Sequence, residues 1–418
     1  MEIVKKVLIV VLLLVVVLSG YFYFQFKSSG VSLINGANQV DEVANPNYGQ
    51  YVSPDDIVRN KEGLKGVTKK HYSKHIAYIA PNGKPIFIVA NDSVSDEQLL
   101  RAYNILAMYL TSDNGYDMKA VANKVAESNQ MLFMPDGADG QSKTPMLAIP
   151  GQPLYYAEVP TDGGKWYLEN DYEHRDAAFE EILHFVHDNG IGIASKQGAL
   201  PELQKEIYAA TINSLPTNEA DWGKKGLWGL NSKDWLVELK NEGSLEQEYL
   251  ASVVDSYYGL WAPFTEREGG MWGLYVAKTR DEIKTKDPKG FEVVEKLLPS
   301  HLSYMVRVDP SFEGTFSLSV NEQPYTLKSR YIKDVRLTGS NDSSLIGNDL
   351  DNIFMGNSGH NTIDGMSGFN VIQLSGASSE YEIDLENNII VDTKKRDGSI
   401  TYKHINLLRF TDKDITIN

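Results

Sequence analysis

Residues 347–373 read GNDLDNIFM, GNSGHNTID, GMSGFNVIQ, three nonapeptides in tandem. Each opens on a glycine (Gly347, Gly356, Gly365), and each sets an asparagine two places ahead of an apolar residue: Asn352 before Phe354, Asn361 before Ile363, Asn370 before Ile372. Leu345 extends the apolar series at the same interval. Such a period stacks short strands, because glycine permits a tight corner and the apolar residue fills the interior. The flanks share the texture. YMVRV, FSLSV, YTLKS and DVRLTG, between Tyr304 and Gly339, read as strands, and the segment after the repeats alternates at Tyr381, Ile383 and Leu385, with Ile389, Ile390, Leu407 and Phe410 following. That pattern fits a small β unit covering an open sheet edge.

The chain ahead of the repeats reads differently. HIAYIA and PIFIVA, joined by Pro81-Asn82-Gly83-Lys84, make a hairpin. Ser95-Asp96-Glu97-Gln98 is a helix-start signature before the periodic LLRAYNILAMYL. MLFMP at 131–135 and PLYYAEV at 153–159 read as further strands, and helical periodicity returns at 176–188, 203–213, 245–258 and 290–298. The expected fold is therefore an α+β domain followed by an all-β domain of stacked parallel strands. Boundaries fall at 1–30, 31–60 (linker), 61–300, 301–336 (β connector), 337–376 (repeats) and 377–418 (cap).

Composition narrows the function. The 418 residues include 40 Lys and Arg against 56 Asp and Glu, a net charge of −16, and no cysteine. Disulfides, thiolate metal sites and a cysteine nucleophile are excluded. No extended basic cluster exists, which argues against a nucleic-acid partner and leaves divalent cations compatible with the charge. After Lys5 and Lys6, residues 7–26 carry no charge. Twenty helical residues span about 30 Å, the thickness of a bilayer core, so this segment is expected to be a transmembrane anchor, with a cleaved signal peptide as the alternative. In both cases the bulk of the chain is expected to be exported, periplasmic or extracellular.

The stretch with catalytic promise is DAAFEEILHFVHDNGIG, residues 176–192. At about 100° per residue, Glu180 and His184 lie about 40° apart and His187 returns to within about 20° of Glu180, so one stripe carries a carboxylate and two imidazoles. Groups at i and i+4 can reach one metal ion. Phe179, Ile182, Leu183 and Val186 face a core, and Glu181 borders the stripe. The bland alternative is a solvated helix face with an i,i+4 contact. Five of the six tryptophans, Trp222, Trp228, Trp235, Trp261 and Trp272, lie between 222 and 272, either lining a glycan or peptide cleft or forming core.

Two resemblances follow from these motifs. EEILH (180–184) resembles the H-E-x-x-H helix of zincin metallopeptidases with Glu in the first ligand place, and EYLASVVDSYYG (248–259) resembles the second helix of the glutamate-ligand type. The resemblance implies a zincin-like domain over about residues 65–300 in which Glu180, His184 and Glu248 hold a divalent metal, zinc foremost, and Glu181 is the general base. It further implies that His187 or Asp255 supports the ligands and that Tyr257 or Tyr258 reaches the developing oxyanion, with a protein or peptide as substrate. Two carboxylates and one imidazole put about −2 on the ion instead of the −1 of a His₂Glu site, which favours a harder metal or a domain that has lost catalysis. The nonapeptides resemble the RTX repeat, G-G-x-G-x-D-x-U-x, implying a parallel β-roll that binds calcium through Asp349, Asn352, Asn361, Asp364 and Asn370. At the sixth position this chain has asparagine where RTX repeats have aspartate, a weaker ligand for a hard cation. The alternative from another class is an inactive surface adhesion or scaffold protein.

Overall fold

The computed structural model describes residues 52–111, 115–144, 149–173 and 175–417. The expected anchor at 7–26 lies outside the described residues, and among those residues no helix is long and apolar enough to cross a membrane. The chain divides into two compact units, and the first is not contiguous: it comprises residues up to Val159, Arg175–Tyr257 and Phe264–Leu298, while Pro160–His174, Tyr258–Pro263 and the chain from Pro299 onward form the second.

The first unit is built on a four-stranded sheet, β1 (Lys74–Ile79), β2 (Pro85–Ala90), β3 (Met131–Met134) and β4 (Gly151–Pro153), in that spatial order. β1 and β2 form the expected antiparallel hairpin, whereas β3 and β4 join in parallel. Helix α1 (Asp96–Thr111) starts where the sequence signalled: Ser95 Oγ accepts from Gln98 N–H at 3.1 Å and Gln98 Oε1 accepts from Ser95 N–H at 2.9 Å, a reciprocal cap. The expected strand at 153–159 is overturned. Only β4 is extended, and Tyr156–Glu158 turns into a 3₁₀ helix. Gly151 is at φ 144°, and a Cβ there would stand 1.7 Å from Met131 O, so the β3–β4 approach admits only glycine.

Helix α3 (Ala178–Val186) lies between α1 and α6 (Leu245–Tyr257), with α2 (Met118–Glu127), α4 (Pro201–Ser214) and α5 (Lys233–Glu242) around them. Sandwiched in this way, α3 buries every residue except Glu181. Asp176 fixes its start: the carboxylate takes Arg101 of α1 in a two-pronged pair at 3.0 and 2.6 Å and caps Ala178 N–H at 3.0 Å. After Val186 the helix widens into a π turn, His187–Ile191. Gly190 allows the close approach of α2 there, since a Cβ would meet Val121 Cγ1 at 2.6 Å. Four of the five clustered tryptophans are core residues. Trp222, Trp228 and Trp235 are buried, with Trp228 donating to Ser252 Oγ at 3.0 Å, and Trp261 is buried in the second unit against Tyr172.

In the second unit the chain alternates between two sheets. β5 (Leu302–Val308), β7 (Ile332–Leu337), β9 (Ile353–Met355) and β11 (Val371–Gln373) lie in one, and β6 (Gly314–Ser317), β8 (Ser343–Ile346) and β10 (His360–Asp364) in the other, all parallel to their neighbours. Each nonapeptide supplies one strand and two supply one turn, so Leu345 pairs with Ile363 and Phe354 with Ile372. All four are buried. β12 (Tyr381–Asp384), β13 (Ile389–Asp392), β14 (Ser399–Lys403), β15 (Leu407–Arg409) and β16 (Asp414–Thr416) complete the sheets, with antiparallel β12–β13–β14 and β15–β16 pairs at the ends. The expected strand YTLKS is instead a helical turn, Thr326–Ser329.

The repeat asparagines do not act as an outward-facing ligand set. Asn352, Asn361 and Asn370 are buried, and their side-chain amides donate inward, Asn352 to Lys333 O and Asn348 Oδ1 (both 2.9 Å), Asn361 to Asn357 Oδ1 (2.9 Å), and Asn370 to Gly365 O and Ser367 O (both 2.9 Å). Asp364 is spent on Lys403 (2.9 Å) and His404 (2.7 Å), and Asp349 is exposed. Each of these amides acts as a hydrogen-bonding rung within the stack, its N–H groups turned to backbone carbonyls and neighbouring side-chain oxygens. Gly347 and Gly365 make room for the rungs and the adjoining turns: a Cβ would stand 2.4 Å from Gly365 O and 2.3 Å from His404 O respectively.

The cap carries an acid-sensitive knot. Burial alone would raise the Asp392 carboxyl, but the Arg396 guanidinium and the N–H groups of Lys394, Arg396 and Asp397 hold it down to about 2. A folded value below the ordinary 3.8 gives stability that is present above pH 3.8 and lost as pH falls towards 2. Thermal melts are expected to fall across that window in the native chain and to flatten there in Asp392→Asn; equal slopes would count against the assignment.

Candidate metal centre

Among the described residues, one group of three His, Asp or Glu side chains brings ligand atoms together: Glu180, His184 and Glu248, all within 4.8 Å of one another. Glu180 and His184 come from successive turns of α3, Glu248 from the first turn of α6. His184 Nε2 stands 3.8 Å from Glu248 Oε1, and its Nδ1 faces Glu181 Oε2 at 3.6 Å. In a four-coordinate centre with bonds of about 2.0–2.2 Å, neighbouring ligand atoms stand about 3.3–3.6 Å apart, so modest side-chain shifts close the set. The donor set fits a divalent ion on a second count. His184 Nε2 and Glu248 Oε2 are buried without a hydrogen-bond partner, which is costly unless something else satisfies them.

The electrostatics are those of crowded acids around one imidazole. Burial would lower His184, but the facing carboxylates of Glu248 and Glu181 raise it above its ordinary value. Burial raises Glu248, opposed by His184 and aided by Glu181. Glu181 accepts Gln152 Nε2 at 2.6 Å from β4. Nearby, burial and then Glu181 push the Glu158 carboxyl up to about 7. Among the described residues, the one cation bonded to the set is Arg175, whose Nη1 donates to Glu180 Oε2 and whose guanidinium lies 5.5 Å from the Trp272 ring centroid.

Other expected members stand elsewhere. His187 is fully buried in the π turn and does not join the ligand group; burial and then the nearby His184 lower it to about 4. Asp255 is buried two turns along α6 from Glu248. Tyr258 is assigned to the second unit, where its hydroxyl donates to Pro299 O at 3.0 Å. Tyr257 is buried with the Arg280 guanidinium 3.8 Å from its ring centroid. Gln152, Glu158 and Arg175 are site residues that the sequence reading does not name, and Trp272 enters it only among the tryptophans of a possible cleft. Arg175, five places before Glu180, was the one with a signal in the sequence, a cation beside an acid-rich helix start. Compared with protein-family models, curated proteins and solved structures, the chain matches none.

Proposed function

We propose that the first unit is a metal-dependent hydrolase, resembling the zincin metallopeptidases, carried on an exported, membrane-tethered chain. The observation that supports this most is the convergence of Glu180, His184 and Glu248 from two helices, with an imidazole nitrogen and a carboxylate oxygen left without hydrogen-bond partners. When bound there, a divalent ion supplies a Lewis acid at the cluster. Glu181 holds Gln152 through Oε2 and keeps Oε1 to accept a proton from an attacking water. Gln152 fixes that carboxylate from the sheet edge, and α1 and α6 hold α3 rigidly between them. Calcium at the repeats is a separate proposal, tested by the calcium response of the second unit, and it would not rest on the amide groups of Asn352 and Asn370, which hydrogen-bond within the stack.

The test is elemental analysis of purified full-length protein. One divalent ion per chain is expected, with loss of the ion and an unchanged fold in His184→Ala; a wild-type chain that takes up none after incubation with zinc or manganese sinks the proposal. A second reading, an adhesion or scaffold protein without catalysis, is favoured by one observation, that Arg175 already engages Glu180. Metal-free protein would support it.

A further inference from the structure

Counted as ligands, Glu180, His184 and Glu248 carry −2, one unit more negative than two imidazoles and a carboxylate. The Arg175–Glu180 ion pair alters that count. Its guanidinium and carboxylate side chains are only 16% and 3% exposed, so little water screens the pair. Arg175 takes Oε2 alone, leaving Glu180 Oε1 without a bond to it. The guanidinium also lies over the Trp272 ring, 5.5 Å from its centroid, and Trp272 and Met271 are held at φ 54° and 50°, a backbone region that non-glycine residues occupy at a cost. The fold thus bears local strain to seat the indole that covers Arg175. We propose that Arg175 is the built-in counter-charge of Glu180: together they take the place of a neutral histidine, and the site presents −1 to the metal despite two carboxylates. This rests on the metal-centre reading above. Arg175 is a positioning and charge-compensating residue, and Glu181 is common to every protein in the comparison below.

The consequence is an ordering by net charge. Native protein counts −1, Arg175→Met −2, Glu180→His with Arg175 retained 0, and the double variant E180H/R175M returns to −1. Cobalt(II) affinity of the full-length proteins, measured by calorimetry with the cobalt absorption bands as a check on coordination, is expected to follow that order. Arg175→Met should tighten binding by about tenfold or more, the scale of one unit charge a few ångströms away in a partly buried site. Glu180→His should weaken it by about as much, and the double variant should return to within about threefold of native. Arg175→Lys, which keeps the charge, should stay near native. A purely structural role predicts the opposite sign for Arg175→Met and no recovery in the double variant, and either result overturns the inference. Failure of every protein, native included, to bind cobalt would instead bring down the metal centre itself, and this inference with it.

Discussion

Glu181→Gln is expected to lower turnover of a quenched-fluorescent peptide library by about 10²–10⁴-fold, the range of a positioned general base, while leaving metal content and melting temperature unchanged. The separation of effects follows from the contacts. Glu181 is the single residue of α3 that is not buried, so the change costs no core packing. Its Oε2 accepts Gln152 Nε2 at 2.6 Å, and a carboxamide oxygen can accept the same bond. It is not one of the three converging ligand residues. What the substitution removes is the negative oxygen that takes a proton, and with it the charge 3.6 Å from His184 Nδ1. Activity that survives Glu181→Gln would move the base elsewhere, with the raised Glu158 carboxyl next in line; activity lost together with the metal would make Glu181 a support for His184 and no base at all.

The candidate site was readable where one helix carries it and opaque where tertiary contacts assemble it. Glu180 and His184 stand out through their i,i+4 spacing, and Glu248 through its place at the start of a second amphipathic helix, because helical periodicity is a local property. The same arithmetic set His187 on the stripe, where it lies near His184 but outside the ligand group, since the widened turn at His187–Ile191 departs from 3.6 residues per turn. Tyr258 shows a second limit of local reading. The chain crosses from one unit to the other between Tyr257 and Tyr258, and nothing in an apolar helix end marks that crossing. Gln152 and Trp272 reach the site from a strand edge and a strained loop, distant in sequence, so no spacing rule could have gathered them. The β-rich half was legible as stacked strands because its period is short and repeated. What the period did not disclose is which way each carboxamide turns, and that decides between an ion site and a buried ladder.

The ladder makes a large prediction of its own. Asn352 is fully buried, with Oδ1 accepting Asn348 N–H at 3.1 Å and its amide donating to Lys333 O and Asn348 Oδ1, both at 2.9 Å. Truncation by Asn352→Ala takes this side chain from Asn348 N–H and Lys333 O, while Asn348 Oδ1 keeps Leu350 N–H; each buried group left unpaired costs about 1–3 kcal/mol, so a loss of roughly 2–4 kcal/mol in the second unit is expected, allowing for partial relaxation. Asn352→Asp, which restores the residue type of the RTX pattern, should do no better. It replaces a donor by a charge facing Lys333 O and Asn348 Oδ1, two acceptors, with no cation in the described contacts to answer it. Chemical denaturation followed by the second unit's own transition measures both variants, with and without millimolar calcium. A wild-type transition that moves upward with calcium, or an Asn352→Ala loss below about 1 kcal/mol, would mean that the carboxamides are not the rungs that hold the turns together. An unmoved wild-type transition and two weakened variants would assign the stack to hydrogen bonding alone, and would leave the ion chemistry of this chain to the carboxylates and imidazole of the first unit.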